Sequence, residues 1–108
     1  MPHYLVQVAY SAEGSAAIVE KPQNRIEAVR PAVEKLGGKV NSGWYSFGNY
    51  DAVLIVELPS NVSAMALAMA FSAGGAVRKV NTTPLLTPEE SVEAMKKASM
   101  AGYKAAKR

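Results

Sequence analysis

Chemistry-bearing residues meet most closely at Gly48-Asn49-Tyr50-Asp51, where a phenol and a carboxylate stand side by side. A tyrosine that donates and an aspartate that accepts can steer a small polar ligand or move a proton. The same four residues also read as a hairpin turn. Gly48 and Asn49 tolerate positive φ, and Asp51 can accept backbone N–H groups across the turn. The two readings are compatible. His3, the one histidine, is a candidate general base, although a histidine so near the chain start also suits a partly exposed, inert position. The candidate catalytic residues are therefore Tyr50, Asp51 and His3.

Candidate ligand-binding residues add three more. Gln7 lies in the middle of an apolar run, and an amide there needs partners, from a second copy or from a ligand. Trp44 and Tyr45 are adjacent in a strand and must face opposite ways, one under the helices and one toward a second sheet or a cavity. Arg78 and Lys79 divide in the same way, so one of them points into a cleft where it would hold an anion. The ligand set is then Gln7, Tyr45, Tyr50, Asp51 and Arg78.

Composition removes several function classes. The 108 residues contain no cysteine, which excludes disulfides, thiolate nucleophiles and cysteine metal sites. One histidine excludes a multi-histidine metal centre within one chain. Met65, Met69, Met95 and Met100 suit core filling better than a soft-metal or heme pocket. No metal and no cofactor is expected. The net charge of +3 sits largely in the tail KKASMAGYKAAKR, which reads as a solvated helix end. Neither nucleic acid nor a membrane is an expected partner. With no leader-like start and no spanning segment, the expectation is a cytoplasmic protein. Apolar content is 49% and charged content 19%, an apolar surplus that a subunit interface would absorb.

The elements that must position these residues follow from periodicity. HYLVQVAY, residues 3–10, reads as a strand with Tyr4, Val6, Val8 and Tyr10 on its core face. Residues 11–21 read as a loop. Pro22 suits a first helical turn, and Ile26, Val29, Val33 and Leu36 make one apolar stripe, with Pro31 inside it as a kink or late start. Gly37-Gly38 closes that helix. Residues 39–47 and 51–58 form the next two strands, the second apolar on both faces and hence buried on both. Ser60 caps NVSAMALAMAFSAGG, a helix apolar nearly all round, which implies burial on more than one side. Residues 76–83 make a fourth strand. Thr87 and Glu90 form a capping box for a last helix running to about Ala106.

The βαββαβ order is ferredoxin-like, α+β, with an extra C-terminal helix. It is expected as one domain over 1–108, with its core at 3–93 and an extension at 94–108. Helices cover one sheet face. The open faces of two copies are expected to pack together as a dimeric α/β barrel, giving a homodimer or a higher even-numbered oligomer.

Across SFGNYDAVLIVELPSNVSAMALAMAFSAGG the chain resembles the GYD-domain family of small bacterial and archaeal proteins. Gly48, Tyr50 and Asp51 match the motif that names it. Leu36-Gly37-Gly38, the aromatic strand before the motif and VRKVNTTPLLTPEE after it fit as well. The resemblance covers about residues 3–93 and implies the dimeric α/β-barrel superfamily. Lys21 departs from it, standing where a helix-capping Ser or Asp is usual. No activity is implied. The superfamily includes small monooxygenases, isomerases, heme-handling enzymes and plain binding proteins, so fold alone decides little.

Three functional readings result. The first is a homo-oligomeric protein that binds a small molecule in the cleft between sheet and helices. The second is a cofactor-free enzyme, an isomerase or monooxygenase acting on a small apolar or aromatic substrate. It would use Tyr50, Asp51, Gln7, His3 and Arg78. The third is a structural or interaction subunit with no ligand.

Overall fold

β1 (His3–Tyr10) follows its alternation: Tyr4, Val6 and Val8 are buried, and His3, Leu5 and Gln7 on the other face are half-buried. The computed structural model describes residues 1–107; Arg108, the last residue of the basic tail, lies outside the described residues. Residues 11–21, expected as a loop, are instead the helix α1 (Ala12–Glu20). Ser11 opens it by accepting the N–H of Gly14 at 3.0 Å. Gly14 disguises this helix, since glycine costs about 1 kcal/mol there relative to alanine. The structure explains its use: a Cβ on Gly14 would collide with the carbonyl oxygen of Ala76. Lys21 also falls into place, because its N–H closes the C-terminus of α1 on Ala17.

α2 (Arg25–Lys35) begins three residues later than Pro22. Asn24 caps it, its side-chain oxygen accepting from Ile26 N at 3.1 Å and Glu27 N at 3.2 Å. Pro31 is held within the helix. Gly37, at φ 86°, ends it in the left-handed region that favours glycine.

β2 (Lys39–Tyr45), β3 (Ala52–Glu57) and β4 (Val77–Leu85) complete one sheet of order β2-β3-β1-β4 with every pair antiparallel. β2 stops at Tyr45, so Ser46 and Phe47 belong to the loop. α3 (Asn61–Ala73) starts at its Ser60 cap, and α4 (Pro88–Met100) carries the expected capping box. This is the ferredoxin-like α+β arrangement with an added C-terminal helix. Its core lies between one sheet face and the helices, with Tyr4, Val6, Val33, Val56, Leu58 and Leu67 its largest fully buried side chains. Tyr4 is satisfied there, its hydroxyl donating to Asn61 Oδ1 at 2.7 Å.

Two expectations about burial are corrected. Within the chain α3 buries Ala64 and Leu67 but leaves Val62, Met65 and Met69 exposed, because the sheet covers it from one side only. The methionines are therefore not core filling: Met65, Met69, Met95 and Met100 are 61–82% exposed. α4 ends at Met100, before Ala106, where Gly102 turns the backbone to φ 68°. It buries none of its residues. The radius of gyration, 17.2 Å, exceeds the roughly 13 Å of a compact chain this long, as a helix standing off the body requires.

Candidate functional site

A cavity of about 340 Å³ opens between the sheet and the helices. Its floor is sheet: Val8, Ala52, Leu54 and Val77. Ile18 of α1, Ile26 and Val29 of α2, and Phe71 of α3 make the walls. It lies over the end of the sheet where β1 finishes and β3 begins. Small residues are common in its lining: Ala52 from the sheet, with Gly14, Ala17, Ala70 and Gly74.

Polar groups gather at one side of this apolar space. Tyr10, Gln23 and Arg25 line the cavity. Tyr45 pairs with Ala52 across the β2–β3 ladder, which puts it on the helix face, and its hydroxyl oxygen accepts the N–H of Arg25 at 2.8 Å. Arg25 Nη1 donates to Gln23 Oε1 at 3.1 Å. The Tyr10 phenol is pushed up to about 12, first by burial, then by the neighbouring Tyr45 phenol and the Asp51 charge, against the pull of Arg25. Tyr10 therefore stays a neutral hydroxyl at ordinary pH.

The motif residues lie around this site and not in its lining. The loop 46–51 is closed by Ser46 N donating to Asp51 O at 2.8 Å and by Ser46 Oγ donating to Tyr50 O at 2.8 Å. Gly48 sits at φ 130°, while Asn49 has no positive φ despite its tolerance for one. The Asp51 carboxylate accepts the backbone N–H of Tyr10 at 2.8 Å, and Asp51 N donates to Val8 O at 2.8 Å. Tyr50 leans the other way, with Lys79 Nζ 5.4 Å from its ring centroid.

The other candidates are dispersed. Gln7 is on the open sheet face, where its Oε1 accepts from Asn81 Nδ2 at 3.3 Å. Trp44 shares that face, paired with Val53, and is 67% exposed. His3 stands at the opposite end of β1 from Asp51, 3.9 Å from Glu57, which also pairs with Lys39 at 3.4 Å. Eight strand residues separate the two ends by roughly 25 Å. Arg78 is exposed on β4. The structure thus brings Tyr45 to the cavity and holds Asp51 beside it. It does not gather His3, Gln7, Tyr50 and Arg78 there.

Sequence reasoning missed Tyr10, Gln23 and Arg25 as site residues. Alternation along β1 puts Tyr10 on the core stripe, although a tyrosine at a strand end can present its hydroxyl to an opening. Arg25 carried a clearer signal. It is a cation in the first turn of a helix, where the dipole favours an acid. Among the described residues, no group of three or more His, Asp or Glu is arranged to hold a metal ion, and no helix is long and apolar enough to cross a membrane.

Comparison with known proteins adds fold and family. A crystal structure of FFRP-DM1 superposes with a TM-score of 0.54 at 14% identity, covering 80% of this chain and 100% of that one. Identity that low speaks to the fold alone. No curated protein matches the chain. The family model of the GYD domain matches residues 4–95, which includes Gly48, Tyr50, Asp51 and every residue lining the cavity. With most of its length matched, the chain belongs to the GYD domain family.

Proposed function

We propose that this protein is a homo-oligomeric binder of a small, largely apolar molecule, held in the cavity between the sheet and α1, α2 and α3. The cavity itself carries the reading. Its volume of about 340 Å³ falls at the lower end of the roughly 300–1,000 Å³ usual for ligand pockets. Apolar walls with a few polar groups on one side are the usual composition of such a site. Self-association is supported by the apolar surface the chain leaves uncovered. Leu5, Val53 and Ile55 are only half-buried on the open sheet face, and Trp44 beside them is exposed. Packing the open faces of two copies would cover that row.

Native mass spectrometry of the purified protein tests both parts. An even-numbered oligomer carrying extra mass that leaves on denaturation supports binding and self-association together. A monomer overturns the assembly. For the cavity, Ala52→Leu projects a larger side chain from its floor. The substituted protein should stay folded and lose the extra mass. Retention of that mass would put the ligand elsewhere.

A further inference from the structure

We infer that the cavity selects small hydrophobic monocarboxylates, with the acid held by Arg25 at the mouth and the hydrocarbon or aryl body inside. This inference rests on the binding reading above and adds the class of ligand. Arg25 is the cation in the lining. Among the described residues no carboxylate lies within ion-pair distance of its side chain. Among the described residues its one side-chain bond is from Nη1 to Gln23, which leaves donors of the guanidinium fork for a planar carboxylate.

The surroundings narrow the choice. The N–H groups of Arg25, Ile26 and Glu27 at the start of α2 are already taken by Tyr45 and Asn24. The helix end is thereby closed to an anion, and the side chain is the group left to bind one. The phenol of Tyr10 stands on the same side, beside that of Tyr45. Two acids are near, and both are engaged: Asp51 accepts from Tyr10 N, and Glu27 is held by Arg30 through two hydrogen bonds of 3.0 Å. Arg25 is the charged residue in the lining, and one cation there matches one negative charge. Beyond it, Ile26, Val29, Leu54 and Phe71 offer no polar group, so a second charged or strongly polar end would be desolvated without a partner.

The test uses the full-length protein and three probes of nearly equal shape: 3-phenylpropanoate, its primary amide and 3-phenylpropylamine. Backbone amide shifts of Ile18, Ala52 and Val77 report cavity occupancy. The expected result is tightest binding of the carboxylate, weaker binding of the amide and weakest binding of the amine. Arg25→Gln should weaken the carboxylate by about tenfold and leave the amide unchanged. Arg25→Lys should fall between, keeping the charge and losing the fork. Occupancy by all three probes alike, or a carboxylate affinity unmoved in Arg25→Gln, overturns acid selection and leaves the cavity a binding site. Unmoved cavity amides with every probe overturn both.

Discussion

The carboxylate of Asp51 and the backbone N–H of Tyr10 are joined at 2.8 Å, beyond the last rung of the β1–β3 ladder at Val8 and Ala52. Past that rung Tyr10 has no strand partner on the β3 side. The aspartate side chain supplies the acceptor that the departing backbone does not. Tyr10 is thereby fixed at the cavity edge by a residue that does not line the cavity. Asp51→Ala leaves this partly buried N–H unsatisfied and should cost about 1–3 kcal/mol in urea unfolding. Asp51→Asn keeps an oxygen acceptor and should cost less. If the two cost the same, the bond to Tyr10 contributes nothing to stability.

Gly48 is constrained by its backbone and not by crowding. It lies at φ 130°, and a Cβ there would meet nothing within 4 Å. Gly48→Ala should therefore destabilise by about 1–3 kcal/mol through strain alone. Chemical denaturation measures it. An unchanged midpoint would mean that the loop relaxes to another turn.

Asp51 and Gly48 also mark how far reasoning from residues reaches. The motif was legible as a turn, and its acid as an acceptor of backbone N–H groups, because both follow from residue type. The sheet faces were legible too: Tyr4, Val6, Val8, Leu54 and Val56 are buried as period-two alternation requires. What was not legible depends on distant contacts. Gly14 hid a helix because its need for glycine comes from Ala76, sixty-two positions along the chain. Met65 and Met69 are exposed because the sheet covers α3 from one side only, which hydrophobicity alone does not report. Arg25 and Tyr10 meet only because α2 and the end of β1 converge on one opening.

Tyr10 gives the fold an alkaline limit. Its pKa rises from 10.0 to about 12, so the folded state favours the neutral phenol. Its stabilising contribution is complete below pH 10 and is lost as pH rises through 12. Tyr10 should ionise late in an ultraviolet titration, and Tyr10→Phe should remove its late step. The same substitution should flatten the fall in stability between pH 10 and 12. A wild-type titration with all tyrosines ionising together would contradict this environment for Tyr10.

The open sheet face should be sensitive to charge. Ile55 pairs with Leu5 across the β1–β3 ladder and is only half-buried in the single chain. Ile55→Glu places a carboxylate in the middle of that row. If two such faces pack together, two facing charges would be desolvated without partners. Sedimentation should then show monomers, with the circular dichroism of the folded chain retained. An oligomer that survives the substitution must be assembled through another surface.

α4 should be the least stable element, and its stability should be local. Thr87 Oγ1 accepts Glu90 N at 3.0 Å, and Glu90 Oε1 accepts Thr87 N at 2.9 Å. Those bonds hold the Glu90 carboxyl below its ordinary value of 4.5. Their contribution is present above that value and is lost as pH falls through the lowered one. The helix has 13 residues and buries none of them, and an isolated helix so short is marginal in water. Thr87→Ala removes about 1 kcal/mol of capping. Amide exchange over Pro88–Met100 should quicken, while the urea midpoint of the sheet and its helices stays fixed. A fall in that midpoint would mean that α4 packs against a second copy in the assembled protein, and that its exposed Val92 and Met95 belong to an interface.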